Sequence, residues 1–267
     1  MKLITYNILH GGVDERGSRL PIIETVAKEL NPDFLALQEA ACFEENNYEQ
    51  LRRMGEQTGC AYQAISFGSG RQSKNGKKEH VVSLSKLTMK QINDFQLKFR
   101  NAALETVIDS AIGEISICNA HLNPHTEEER LAEIDLILNA QSAYKYKIVV
   151  GDMNSLSPHD KYDAEMINRF NEKQLAKFTE EGKLRFDAIS KFKRAGYVDA
   201  AYLAGINAVN TVPTKLNIDP DHELPLRLDY VLVSELLAPH VKRVLVVKNQ
   251  NTEKGSDHYP VLAEFDF

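Results

Sequence analysis

The chain has 267 residues, a formal net charge of −6 and a pI near 5.8, with 43% hydrophobic and 26% charged residues. That balance suits a soluble protein with a substantial core, and no apolar run approaches the ~20 residues of a membrane helix, so no membrane insertion is expected. The acidic surplus weakens a nucleic-acid-binding reading without removing it, because such proteins usually present basic surface.

In chain order, the opening MKLITYNILHGG has no long apolar stretch and reads as a first strand over residues 2–8, not as a signal peptide. Behind Pro21, which suits a first turn, Ile22, Ile23, Val26, Ala27 and Leu30 fall at helical spacing. Pro32 ends that helix at Asn31. Residues 34–37 form a short apolar run leading into Gln38 and Glu39, completing a β-α-β unit with a carboxylate at the end of its second strand. A helix is predicted over 47–58. Residues 68–80 read as a polar, glycine-bearing loop, and 81–85, 103–109 and 114–119 as strands, the last two joined by a tight turn at Gly113. Thr126 and Glu129 resemble a capping box opening a helix to about residue 142. A buried strand over 147–150 runs into Gly151 and Asp152.

Residues 160–195 read as a long, charged, helical insertion, and strands over 228–233, 242–247 and 261–267 close the chain. With no linker, repeat or low-complexity tract, residues 1–267 are expected to form one α/β domain of two packed sheets with helices outside. Cys42, Cys60 and Cys118 make an odd count without paired spacing. They read as buried small hydrophobes in a reducing cytoplasm, and the lack of a Cys/His cluster leaves a zinc site little support.

Polar residues recur where apolar strands end: Asn7, Glu39, His121, Asp152, Asn154, Asp229, Asp257 and His258. Singly, each is an ordinary turn or cap residue. Together, at one edge of a sheet, they would converge on a pocket, and oxygen donors without cysteine suit Mg²⁺ or Mn²⁺. Asp229 stands among Leu226, Leu228, Val231 and Leu232, where a charge is costly unless paired. Arg227 is one available partner. The favoured reading is that Asp229 orients His258, which sits in an exposed, turn-like SDHYP segment.

TYN, LQE, NAHL, GDMN, RLDYVLVS and GSDHYP occur in the order of the endonuclease/exonuclease/phosphatase superfamily, and the resemblance runs from residue 5 to residue 260. It implies a four-layered α/β/β/α sandwich with two packed mixed sheets and a divalent-metal-dependent phosphoester hydrolase. By the same resemblance, Glu39 is the principal Mg²⁺ ligand, assisted by Asn7 and Asp257. Asp152 positions or deprotonates the attacking water, Asn154 holds the phosphate, and His258, oriented by Asp229, meets the charge developing on phosphorus. His121 contacts the phosphate or protonates the leaving group. AP endonucleases carry a tyrosine in that stretch, which puts that activity in doubt.

The implied substrate is a phosphorylated small molecule or a nucleic acid, and no protein partner is evident. Alternatives are an inositol or lipid headgroup phosphoesterase, or a catalytically silent binding module on the same fold. His80 stands where relatives commonly have glycine, which would alter the approach to the site, and the 160–195 insertion would wall the substrate. The absence of tryptophan speaks against membrane docking. His125 reads as incidental. Arg71, Lys74, Lys77 and Lys78 could grip a polyanion but read better as a solvated loop.

Overall fold

The computed structural model describes the chain except Arg16, residues 73–77, 96–97, Ala164, 207–208 and Ile218, together with the side chains of 69–72 and Asp221. Twelve strands build its two large sheets: β1 (Lys2–Asn7), β2 (Phe34–Gln38), β3 (Tyr62–Gln72), β4 (Lys78–Ser85), β5 (Met89–Asp94), β6 (Ala102–Ser110), β7 (Gly113–His121), β8 (Tyr146–Asp152), β9 (Tyr197–Asp199), β10 (Asp229–Ser234), β11 (Val241–Val246) and β12 (Val261–Phe265). The first sheet runs β11-β12-β1-β2-β4-β3 and the second β9-β10-β8-β7-β6-β5. Both are mixed: β1 lies parallel to β2 and β8 parallel to β7, while their other neighbours are antiparallel.

Alternation along the strands assigns residues to layers. In β1, Leu3 joins Phe34, Ile117, Ile148, Val150 and Val233 in the core between the sheets. Its neighbour Ile4 points the other way, onto Ile23, Val26 and Ala27 of α1 (Leu20–Leu30) and Leu51 and Met54 of α2 (Glu45–Thr58). On the far side, Cys118, Val149 and Leu232 pack on Ile134 and Ile137 of α3 (Glu127–Ala140). The result is the expected α/β/β/α sandwich. Thr126 caps α3, its hydroxyl accepting from the Glu129 N–H at 3.3 Å.

Several elements differ from expectation. The polar stretch 68–80 is strand where it is described, at the ends of β3 and β4. Gly68 marks a close backbone approach, since a Cβ there would stand 1.8 Å from the Asn101 carbonyl oxygen. Lys74 and Lys77 of the basic cluster, and the Arg71 side chain, lie outside the described residues. Strand β5 was not foreseen; it is an exposed edge, so no burial pattern shows in its sequence. The first turn of α2 is left-handed at Asn46, Asn47 and Tyr48, with φ of 49°, 55° and 59°. Cys60 and Cys118 are buried, but Cys42 is only half-buried.

Segment 160–195 holds a 3-10 turn (Met166–Arg169), α4 (Glu172–Phe178), a two-stranded hairpin and α5 (Asp187–Arg194). Ala188, Ile189 and Phe192 of α5 pack with α3 in the outer helical layer.

Near the site end, polar side chains join the two sheets. Gln38 accepts from Thr5 Oγ1 at 3.1 Å and donates to Asn119 Oδ1 at 2.7 Å. Asn119 Nδ2 in turn donates to the carbonyls of Val82 (2.9 Å) and Leu37 (3.2 Å). Asn119→Ala removes these bonds, and a longer one to Ser83 Oγ at 3.4 Å, across fully buried ground, so it should lower unfolding stability by about 1–3 kcal/mol. A denaturation midpoint equal to that of the unmodified protein would refute this role.

Candidate active site at the meeting edge of the sheets

Strand register brings the site residues into rows. Asn7 pairs with Gln38 across β1 and β2, which places Glu39 just beyond. His121, Asp152 and Asp229 stand in one row across β7, β8 and β10. Gly151 (φ 135°) precedes Asp152 where a Cβ would fall 1.9 Å from the Ala120 carbonyl oxygen. Only glycine fits that approach. Asn154 follows in the left-handed region (φ 49°), which asparagine tolerates better than most residues.

Asp152 is the hub. Its Oδ1 accepts from the Asn154 N–H at 2.9 Å and its Oδ2 from Asn7 Nδ2 at 3.1 Å, so the second bond crosses from one sheet to the other. His121 Nε2 lies 3.4 Å and His258 Nε2 3.8 Å from Oδ2. Asn7 Nδ2 also reaches Glu39 Oε1 at 3.0 Å. Asp229 Oδ2 meets His258 Nδ1 at 2.8 Å. Arg227, the other available partner, is engaged elsewhere, with Asp160 at 2.9 Å and Asp199 at 2.6 Å. His258 is not exposed as expected: it is buried, with the His222 ring edge-on to it at 5.4 Å.

The electrostatics separate the two imidazoles. Burial opposes charge on His258, but Asp229, Asp257 and Asp152 outweigh it and lift its pKa to about 10. Burial wins at His121 and lowers its pKa against the pull of Asp152 and Glu39. Burial also works against the Asp152 anion, yet His121, His258 and Lys177 hold its pKa below the usual value. Burial, Glu79 and Asp257 push Glu39 up. Asp257 is held well below the carboxylate range by His222 and His258 despite its burial.

Four residues of this neighbourhood escaped the sequence reading. His10 Nδ1 lies 3.0 Å from Glu79 Oε1 and 3.5 Å from Glu39 Oε2. His222 Nδ1 lies 3.3 Å from Asp257 Oδ2. Lys177, on α4, donates to Asn154 Oδ1 at 2.5 Å, while Asn154 Nδ2 donates to the Leu122 carbonyl at 3.0 Å. None sits at a recognisable strand end; the HGG run at His10–Gly12 was the one available signal. His80, by contrast, is a core residue whose ring packs edge-on to Phe67, with Nε2 3.0 Å from Glu44.

Among the described residues, three side-chain groups place ligand atoms close enough to hold a metal ion: His10, Glu39 and Glu79; His222, Asp257 and His258; Asp152, Asp229 and His258. The donor set fits a divalent cation. Its carboxylates crowd together largely out of water, and Glu79 Oε2, beside Glu39, is buried without a hydrogen-bond partner. Asn7 and Glu39 are directly linked, whereas Asp257 groups with His222 and His258 and bears on Glu39 through its charge.

An α/β/β/α sandwich carrying a carboxylate–imidazole centre at its strand ends is the class of protein that this fold and site define. The chain belongs to the Endonuclease/Exonuclease/phosphatase family, whose sequence model matches residues 4–258, and membership supports phosphoester hydrolysis as its activity. Similar solved structures include an endonuclease/exonuclease/phosphatase family protein from Leptotrichia buccalis C-1013-b, with 20% identity and a TM-score of 0.72. Others are the 3′ phosphatase NExo from Neisseria bound to product DNA hairpin (19%, TM-score 0.70) and an AP endonuclease from Archaeoglobus fulgidus (20%, 0.68). Each of the three alignments covers 100% of both chains, and at such identities the likeness shows the fold alone. No curated protein matches the sequence.

One buried carboxylate underpins the loop after His121. Glu133 accepts from the N–H groups of Asn123 at 2.7 Å and Arg100 at 2.9 Å. Burial nevertheless lifts its pKa to about 7. The native state therefore holds this proton more tightly than the unfolded chain. Its contribution to stability is complete below the ordinary glutamate value and is lost as pH rises through about 7. Glu133→Gln should flatten the fall in melting temperature between about pH 5 and pH 8. Parallel pH profiles for the two proteins would exclude this role.

Proposed function

We propose that this chain is a Mg²⁺- or Mn²⁺-dependent phosphodiesterase or phosphatase acting on a soluble phosphorylated or nucleic-acid substrate, in the cytoplasm and as a single domain. The observation that carries this reading is the Asp152 centre, where residues of both sheets meet around one buried carboxylate. A silent binding module has no use for two imidazoles of opposite protonation beside crowded carboxylates, a costly arrangement that serves catalysis. Among the described residues no helix is long and apolar enough to cross a membrane. His121, standing where AP endonucleases carry tyrosine, disfavours abasic DNA as the substrate.

Glu39, Asn7 and Asp257 would hold the metal, with His10, Glu79 and His222 close by. When bound, the cation supplies charge neutralisation at the phosphate and lowers the pKa of a coordinated water. Asp152 orients the attacking water and accepts its proton. Asn154 holds a phosphate oxygen. His258, kept protonated and aimed by Asp229, offers its Nε2–H, which has no partner in the structure, to the oxygen that gains charge. His121, neutral and with Nδ1 likewise unpartnered, contacts the phosphate or serves the leaving group.

Hydrolysis of a generic phosphodiester should vanish in EDTA and return with Mg²⁺ or Mn²⁺. Glu39→Gln should raise the metal concentration needed for half-maximal rate by about tenfold or more, with partial rescue by excess metal. Full activity in chelator would exclude metal dependence.

The Asp229–His258 pair provides a second check. Asp229→Asn keeps the shape and should lower turnover roughly 10²–10⁴-fold while the melting temperature falls only modestly. His258→Ala should cost a similar factor and the double variant little more, since coupled groups are not additive. Multiplicative losses would instead make Asp229 a structural residue.

A further inference from the structure

His222 stands apart from the strand-end residues of the site. It comes from the segment between β9 and β10, 35 positions before Asp257, so no sequence spacing announces the pair. The fold pins that segment to residues 256–259 at two places. The Tyr259 N–H donates to the Thr211 carbonyl at 2.8 Å, and the Thr214 N–H to the Asp257 carbonyl at 3.1 Å. His222 itself closes a 3-10 turn (Pro220–His222), and its side chain is 18% exposed, so the group meets water on one side.

The ligand atoms of His222, Asp257 and His258 all lie within 4.8 Å of one another. Inside that group, His222 Nδ1 and Asp257 Oδ2 are 3.3 Å apart. A charge-assisted hydrogen bond settles nearer, at about 2.7–2.9 Å, as the 2.8 Å between Asp229 and His258 does. Two ligands on one tetrahedral zinc, each about 2.0–2.1 Å from the metal, stand about 3.3–3.4 Å apart. Ser256 Oγ donates to Asp257 Oδ1 at 3.2 Å, which leaves Oδ2 as the oxygen turned to His222. Asp229 holds His258 Nδ1, while Nε2, on a side chain only 1% exposed, is buried without a hydrogen-bond partner. A carboxylate on one imidazole nitrogen, with the other left for a cation, is the outer support usual for metal-bound histidine.

We propose that His222, Asp257 and His258 form a site for a borderline cation such as Zn²⁺, and that a cation held there stops hydrolysis by taking Nε2 of His258. Two imidazoles and one carboxylate, with a fourth position open to water, are a zinc donor set, whereas Mg²⁺ takes oxygen ligands. The carboxylates of Asp229, Asp257 and Asp152 all bear on His258, so the cation enters negative surroundings. Its binding releases the Nε2 proton to solvent. A metal-bound Nε2 has no hydrogen to offer the oxygen that gains charge, and Asp257 is drawn from the Mg²⁺ or Mn²⁺ centre. The inhibitory half of the inference rests on the phosphoester-hydrolase reading; the site itself does not.

Zinc binding to the full chain, first stripped of metal, tests the site without any substrate. Competition against a chromophoric chelator, in excess Mg²⁺, should show one Zn²⁺ bound far more tightly than Mg²⁺. Asp229→Asn should weaken it about 10–100-fold, the cost of losing an outer partner, and His222→Gln, which removes a ligand, at least as much. His10→Gln should leave it unchanged. Melting curves of the same proteins serve as the folding control: Zn²⁺ should raise the melting temperature of the unmodified protein and not that of His222→Gln. Zinc affinity no higher than that for Mg²⁺ overturns the site. So does an affinity unchanged in His222→Gln, or one lost in His10→Gln instead, which would put the ion at Glu39. Where the protein hydrolyses a phosphoester with Mg²⁺, filling the site with Zn²⁺ should stop it, and His222→Gln should need about tenfold more Zn²⁺ or above for the same effect. Undiminished hydrolysis at full zinc occupancy overturns the inhibitory role. A protein that binds zinc through His222 yet hydrolyses nothing sinks the enzymatic reading and leaves the site standing.

Discussion

The carboxylate of Asp152 is the point at which two sheets become one site. A buried anion is expensive unless several partners meet it, and Asp152 draws those partners from different layers: Asn7 from the first sheet, His121 from β7, and His258 from the loop before β12. Gly151 makes the placement possible by letting β8 approach Ala120 more closely than any side chain would allow. The polar link through Thr5, Gln38 and Asn119 holds the same end of the sandwich from within. Apolar packing keeps the sheets together, while these polar bonds set how their edges face each other.

From that geometry the charges follow. Carboxylates brought together out of water either take up protons or gather cations. Here both responses are visible. Glu39 is pushed up by burial and Glu79, whereas Asp257 stays low because His222 and His258 face it. The same crowding keeps His258 protonated and leaves His121, whose burial is not outweighed, neutral. Two identical side chains thus acquire different chemistry from their neighbours alone, the pattern expected where a site handles both proton donation and anion contact.

Segment 160–195 is joined to this centre rather than draped over it. Arg227 reaches Asp160 at its start, Arg130 holds the Lys177 carbonyl, and α5 completes the outer layer over α3. The buried arginines serve as rivets between chain segments, which is how an α4 lysine comes to touch a residue at the end of β8.

Much of this was legible in the residues. Alternation such as Leu3 against Ile4, the helical spacing from Ile22 to Leu30 and the capping pair Thr126–Glu129 are local patterns, and the elements they specify form where expected. The polar residues at strand ends were also visible, because a charge within an apolar run stands out. The exposed strand β5 was not, since an edge buries no face, and the strand ends around Gly68 were masked by polar composition. Only the tertiary structure decided which polar residues meet. The partnership of Asp229 with His258 instead of Arg227, the burial of His258, and the arrival of His10, Glu79, His222 and Lys177 all join residues far apart in sequence. Such contacts depend on strand order, register and sheet packing, and no local spacing encodes them.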